Sequence, residues 1–158
     1  MRTRTNHDLQ FEVEYASRVC ALHETVWRRF GVLLTVIAVL GATAAVKGYV
    51  EANADLATIS GLVLAALAVM NLVLAPGVRA QAYKQDGKRY AAFAAFTTGL
   101  DPYAYDNDLD KKLQEMRAGD EPDIRALTYL AYRDAMTRFG HEDKEPLGLM
   151  PRIYSVIA

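Results

Sequence analysis

The feature that most constrains this chain is a pair of uncharged apolar runs separated by a short polar segment. The first run covers residues 30–46, the second covers residues 56–78, and the polar link covers residues 47–55. An α-helix needs about 20 apolar residues to cross the hydrocarbon core of a bilayer. The second run reaches that length, and the first reaches it when Arg29 and Lys47 extend their charges to the headgroups. The sequence therefore predicts a transmembrane helical hairpin over residues 30–78.

Two apolar helices can also be the buried pair of a soluble bundle, and their polar residues distinguish the two cases. A helix of a soluble protein usually keeps one polar face. The polar side chains of the two runs are only Thr35, Thr43, Thr58, Ser60 and Asn71. Since neither run has a polar face, the pattern favours a membrane.

Basic residues near the ends of the spans predict their orientation, because cytoplasmic flanks carry an excess of Lys and Arg. The basic residues of the two outer flanks are Arg18, Arg28, Arg29, Arg79, Lys84, Lys88 and Arg89. The link has only Lys47, beside Glu51 and Asp55. Both termini are therefore expected in the cytoplasm. This agrees with the number of spans, because a chain that crosses the membrane twice has both ends on the same side.

Residues 1–29 are predicted to form a cytoplasmic amphipathic helix that continues into the first span. Neither Pro nor Gly interrupts the chain between Asp8 and Gly31. One continuous helical face carries Phe11, Tyr15, Val19, Leu22 and Val26. This stripe is too wide to leave in water, and we expect it to pack on the C-terminal helices or on another subunit. Its candidate assembly residues are Tyr15, Val19, Leu22 and Val26.

Residues 79–158 are predicted to form a cytoplasmic helical domain, so that the whole fold is all-α. The expected helices cover residues 79–98, residues 109–118 and a stretch from a capping segment at 120–123 to residue 139. The aspartates of residues 101–110 lack the spacing of an EF-hand loop, and we expect them to cap the second of these helices. The apolar tail at 149–158 either docks on the bundle or lies on a membrane surface.

Three polar residues within the spans are candidates for lining a pore or for bonding between helices: Asn71, Ser60 and Thr35. A side-chain amide in hydrocarbon must find a hydrogen-bond partner or face water. Ser60 and Asn71 are predicted to lie about 20° apart around the second helix. At the membrane surface the candidate interface anchors are Trp27, Arg28, Arg29 and Arg79.

The sequence contains no pattern typical of an enzyme, a metal site or a nucleic-acid-binding domain. The net charge of −1 gives no case for nucleic acid, and His7, His23 and His141 lack the spacing of metal ligands. We expect His23 to lie on a helix surface. Cys20 is the only cysteine, and its place beside the apolar stripe predicts a buried, unreactive thiol. We therefore predict no catalytic residue, metal or cofactor.

The order of these parts resembles the SLATT family, bacterial two-span proteins found beside nucleotide-signalling and ligand-sensing defence modules. The resemblance covers most of the chain. The residues that carry it are His23-Glu24 and Arg28-Arg29 before the first span, then EPDIRAL at 121–127 through Asp134, and EPL at 145–147. It implies an effector that assembles in the bacterial inner membrane and permeabilises it when a partner protein signals infection. No catalytic motif comes with the family.

The sequence thus predicts a homo-oligomeric inner-membrane effector that acts in anti-phage defence and is held closed or triggered by a partner protein or signal. Two helices from one subunit cannot enclose a water path, so conduction requires several copies. Two alternatives remain: a membrane-anchored adaptor or structural protein, and a phage-encoded holin-like pore protein. A small transporter subunit is disfavoured, because neither span carries a charge.

Overall fold

A computed structural model describes residues 5–104, 106–120, 123–141 and 148–157 of the chain. Their helices are α1 (Asn6–Val50), α2 (Ala54–Leu74), α3 (Pro76–Thr97), α4 (Asn107–Arg117), α5 (Arg125–Arg138) and α6 (Leu149–Ile157). These residues contain no β-strand, so the prediction of an all-α fold is confirmed. The motif residues Glu121, Pro122 and 145–147 lie outside the described ranges.

The chain divides into two compact units, and α1 and α3 each contribute to both. The first, which we call the polar unit, comprises Met1–Val26 and Gln81–Ala158. The second, the apolar unit, comprises Trp27–Ala80.

Helix α1 begins with a reciprocal cap at its first turn. The backbone N–H and the hydroxyl of Thr5 both donate to the Asp8 carboxylate, at 3.0 and 2.9 Å. Beside this cap, the side chain of Asn6 donates to the carbonyl of Asp101 at 2.8 Å, and its backbone N–H donates to the carbonyl of Ala104. The start of α1 is therefore bonded both to its own first turn and to the loop after α3.

In the polar unit, the predicted apolar stripe of α1 packs on α5. Val19, Leu22 and Val26 form one buried cluster with Leu127, Leu130 and Ala131, and Tyr15 packs against its edge. Each fully buried Val or Leu side chain contributes about 1.5–3 kcal/mol relative to an exposed one. The stripe was expected to pack either on the C-terminal helices or on another subunit, and in this structure it packs on the C-terminal helix α5. The assembly stripe is thus largely buried within one chain, and a homo-oligomer needs another surface.

A second face of α1, which the sequence analysis did not identify, packs on α3. The buried residues of this face are Leu9, Val13, Ala16, Cys20 and His23. A Cβ atom placed on Gly87 of α3 would lie 3.4 Å from the Cβ of Cys20. Gly87 therefore permits close contact between α1 and α3.

Ion pairs at the edges of α1 link it to α4 and α5. Arg18 pairs with Asp134 at 2.6 Å, Arg117 pairs with Glu12 at 2.8 Å, and Arg138 pairs with Glu14. All three pairs are partly exposed, so each adds only about 0–1 kcal/mol. They fix the register of packing that the apolar contacts stabilise.

The short helices α4 and α5 begin differently. The Asp106 carboxylate caps α4 by accepting from the N–H groups of Asp108 and Leu109 at 3.0 and 3.2 Å. Helix α5 begins at Arg125 with Ile124 as its N-cap residue, and Ile124 makes no side-chain capping bond. Helix α5 therefore begins later than the sequence predicts, since residues 123 and 124 are not helical.

In the apolar unit, α2 runs antiparallel to the second half of α1. A Cβ atom on Gly31 would lie 3.6 Å from Pro76, and one on Gly41 would lie 3.3 Å from Leu64. A Cβ atom on Gly48 would lie only 2.7 Å from the backbone nitrogen of Ala57. Any side chain at Gly48 would thus collide with the backbone of α2. The helices extend into the predicted link and leave only residues 51–53 between them.

Two helical stretches, Asn6–Val50 and Ala54–Thr97, are long and apolar enough to cross a membrane, and 6% of the most apolar window of each is buried. The second stretch bends at Ala75, which adopts a left-handed φ of 41° before Pro76. The exposed fractions of Leu40, Leu62 and Leu72 are 65%, 67% and 82%. Within the apolar unit, these helices therefore present apolar side chains outward over most of their surface.

We expect Leu127→Ala to lower the free energy of unfolding of the polar unit by about 2–5 kcal/mol, because truncation leaves a cavity between α1 and α5. Hydrogen exchange of α5 amides in the purified full-length protein measures this loss. Leu149→Ala is the matched control: this leucine is 75% exposed, and the change should stay within about 0.5 kcal/mol. Unchanged α5 exchange in Leu127→Ala would contradict the packing described here.

Candidate functional site

Two of the three polar residues predicted for the spans lie together, and the third does not. Thr35 and Asn71 both line two adjoining grooves between α1 and α2, with volumes of about 500 and 280 Å³. Ser60 is buried, with a hydroxyl that donates to the carbonyl of Leu56 at 2.7 Å. Ser60 is thus satisfied by its own helix and does not share the surface of Asn71.

The Asn71 carboxamide is the polar group of these grooves that requires a partner. Thr35 donates its hydroxyl proton to the carbonyl of Gly31 at 2.9 Å. No described residue forms a hydrogen bond with the Asn71 side chain, and its neighbours Leu72 and Val73 are 82% and 69% exposed apolar residues. An unpaired amide would cost several kcal/mol in hydrocarbon, so the Asn71 side chain would need a hydrogen-bond partner there.

The predicted interface anchors gather at one end of the apolar unit. The guanidinium of Arg79 lies over the Trp27 ring, 4.8 Å from its centroid, and Phe30 meets that ring edge-on at 6.1 Å. Arg28 is exposed and lines the larger groove. Within the described residues neither Arg28 nor Arg79 pairs with a carboxylate. Arg29 is exposed at the same end.

In the polar unit, His23 is the residue that sequence reasoning placed wrongly. It was expected on a helix surface, but its side chain is fully buried. Its Nδ1 lies 2.9 Å from the carbonyl of Val19, and its Nε2 accepts from the backbone N–H of Ile124 at 2.9 Å. The ring stacks on Tyr83 of α3, with centroids 4.6 Å apart. One imidazole thus connects α1, α3 and the start of α5.

This arrangement requires a neutral imidazole with its proton on Nδ1. An acceptor at Nε2 has a lone pair, so the Ile124 bond is lost when the ring is protonated. Burial lowers the pKa of His23 from its ordinary value of 6.5, against opposing effects of the Val19 bond and of Asp123. The Asp123 carboxylate lies 3.8 Å from Nε2. It is the acidic group next to the ring.

A spacing signal for this site was present in the sequence. His23 continues the second face of α1, in which Leu9, Val13, Ala16 and Cys20 follow one another at intervals of four, three and four residues. His23 comes three residues after Cys20. If the pattern is continued to its next member, residue 23, it predicts a buried histidine.

Beside His23, the polar unit contains a cavity of about 380 Å³. Its polar lining includes Cys20, Asp86, Arg117, Asp120 and Asp123. Burial raises the pKa of the Cys20 thiol to about 12, in keeping with the predicted unreactive thiol. Burial also raises the pKa of both Asp120 and Asp123.

The carboxylate of Asp120 has a specific partner in Tyr90. The Tyr90 hydroxyl donates to it at 2.5 Å, and burial together with this bond raises the pKa of Tyr90. No group of three or more His, Cys, Asp or Glu residues in the described ranges is placed to hold a metal ion. Three charged side chains of the lining thus have partners outside it: Asp120 bonds to Tyr90, Arg117 to Glu12 and Asp86 to Arg89.

Comparisons with protein-family models, with curated proteins and with solved structures found no match for this chain. The resemblance to the SLATT family therefore stays a prediction. The geometry described above carries the functional argument.

We expect the polar unit to lose stability as the pH falls from about 7.5 to about 5.5. Because the pKa of His23 is lowered by folding, the unfolded chain binds this proton more readily than the folded chain. The contribution of His23 to stability is therefore fully present above pH 6.5, the pKa of the unfolded chain. It is lost as the pH falls below 6.5 and through the lower pKa that His23 has in the folded chain. Hydrogen exchange at the start of α5 measures it.

His23→Gln is the control for this pH dependence, because glutamine has an oxygen that can accept the Ile124 bond and does not titrate. It leaves Asp120 and Asp123 in place, and it removes from Asp123 the effect of His23 that lowers the pKa of that carboxyl. Equal pH dependence in the two proteins would show that His23 is not the responsible group.

Proposed function

We propose that this protein is an integral membrane protein whose apolar unit crosses a bilayer as a two-helix hairpin. The observation that carries the proposal is the exposure of both apolar stretches. In each stretch, only 6% of the most apolar window is buried. Helices of this length that form the core of a soluble protein are mostly buried. Here the apolar surface needs lipid or further chains to cover it.

The charges at the ends of the apolar unit support an orientation with both chain termini in the cytoplasm. Arg28, Arg29 and Arg79 stand at one end. At the other end, Lys47 pairs with Glu51 at 3.9 Å, and Asp55 adds a further negative charge. An excess of arginine marks the cytoplasmic side, and the bacterial inner membrane is the membrane that the SLATT resemblance implies.

We further propose that several copies assemble and permeabilise the membrane. Two helices of one chain cannot enclose a water path, whereas a ring of hairpins can. The unpaired Asn71 carboxamide supports this step, because it needs water or another chain as its partner. Since Val19, Leu22 and Val26 are buried against α5, assembly in this proposal uses the apolar unit instead of the predicted stripe.

The biological role we propose is that of an effector in bacterial anti-phage defence, held closed or triggered by a partner protein or signal. The support for this role is the SLATT resemblance of the sequence. The second candidate is a membrane-anchored adaptor. It is favoured by Phe96 and Tyr103 of the polar unit, whose side chains are 66% and 87% exposed and would suit a protein partner.

Expression in bacteria without a repressing partner should depolarise the cells, measured with a potential-sensitive dye. Replacing Asn71 with Leu removes a polar contact worth about 1 kcal/mol in a membrane, which corresponds to about a fivefold change in the assembled population. We therefore expect depolarisation by Asn71→Leu to differ by about that factor at equal expression. Thr58→Val is the matched control, since Thr58 donates to its own backbone at Ala54.

Normal membrane potential at verified high expression would contradict the permeabilising role and favour the adaptor. Alkaline carbonate extraction of the same membranes tests insertion separately. A protein that washes off as a soluble monomer would exclude the transmembrane hairpin itself.

A further inference from the structure

The larger groove of the apolar unit changes from charged to apolar along its length. At one end it is lined by Arg28 and Trp27. Its walls continue as Val32, Val36 and Pro76, and Thr35 and Asn71 connect it with the smaller groove. The smaller groove is otherwise lined by three leucines and two alanines of α1 and α2.

The charge of this groove has one sign. No acidic residue lines either groove, and Arg28 has no carboxylate partner within the described residues. Arg79 lies beside it over the Trp27 ring. A guanidinium in this position presents several N–H donors to an anion, and a phosphate is the group that it binds best.

We propose that this groove binds one anionic phospholipid, with its headgroup phosphate at Arg28 and its acyl chain along Val32 and Val36. The proposal rests on the membrane insertion proposed above and is independent of pore formation. Thr35 is seven residues beyond Arg28, about 10 Å along the helix axis. At that depth a bound lipid has its acyl chains, below its glycerol esters, so the proposed lipid site does not use the Asn71 amide.

The polarity gradient favours a lipid over the other occupants. A free phosphate ion satisfies Arg28 but leaves the apolar walls uncovered. A helix of a second copy would cover those walls, yet the exposed and charged Arg28 would need an acidic partner, and the spans of this chain carry no acidic residue between residues 30 and 46 or between 56 and 78. An anionic lipid matches the charge at one end and the apolar surface at the other.

Trp27 makes the test direct, because it is the only tryptophan of the chain and lines the groove. The full-length protein is reconstituted in phosphatidylcholine vesicles that contain a small fraction of either brominated phosphatidylglycerol or brominated phosphatidylcholine. Bromine quenches indole fluorescence only at short range. We expect stronger quenching by the anionic lipid, with a preference that Arg28→Gln lowers about fivefold, since one basic residue at a membrane surface contributes roughly that factor.

Lys47→Gln is the matched control, because it removes one exposed basic group at the other end of the apolar unit. It should leave the quenching preference unchanged. Added glycerol phosphate should not reduce the preference either, and a reduction would identify free phosphate as the ligand and overturn the lipid assignment.

Equal quenching by the two brominated lipids would overturn the proposal and leave only a nonspecific lipid annulus. Absence of quenching by both would also overturn it, since a second copy then covers the groove. Failure of membrane insertion gives a different result: the protein does not float with the vesicles in a density gradient. The two failures are therefore distinguishable.

Discussion

The burial of the first half of α1 on two faces is the constraint on which the polar unit depends. One face packs on α5 through Val19, Leu22 and Val26, and the other packs on α3 through Cys20 and His23. A helix covered on both sides can have few polar residues within its contacts. The charged side chains of α1 accordingly lie at the edges of these faces, where three of them form ion pairs with α4 and α5.

His23 is the exception to this rule, and its surroundings explain why it is tolerated. Both ring nitrogens have a backbone partner at 2.9 Å, and the ring lies flat against Tyr83. A buried polar group with all its hydrogen bonds made costs little. The bond to His23 also satisfies the backbone N–H of Ile124, the N-cap residue of α5, whose own side chain makes no capping bond. The packing of α1 and the position of α5 therefore depend on one neutral imidazole.

The apolar unit follows a different rule, since its contacts depend on small residues and its outer surface is apolar. Gly41 and Gly48 let α1 and α2 approach so closely that Gly48 has no room for a side chain. Because the helices pack on each other along one side only, most of their side chains remain exposed. The proposals for membrane insertion and for a lipid site both derive from this surface, on which the Asn71 amide and the Arg28 guanidinium have no hydrogen-bond or ion-pair partner among the described residues.

The helical class, the two apolar stretches, the basic anchors and the face of α1 that contacts α5 could all be predicted from the amino-acid sequence. These follow from local composition and from a spacing of three and four residues, which the chain carries without reference to its fold. The tertiary structure was needed to show which groups His23 bonds to, that Ser60 is separated from Asn71 and that α5 covers the assembly stripe. Burial depends on which helix lies opposite, and residues such as His23 and Ile124 are brought together from 101 positions apart. No local pattern encodes a contact of that range, because the partner is chosen by the packing of the whole unit.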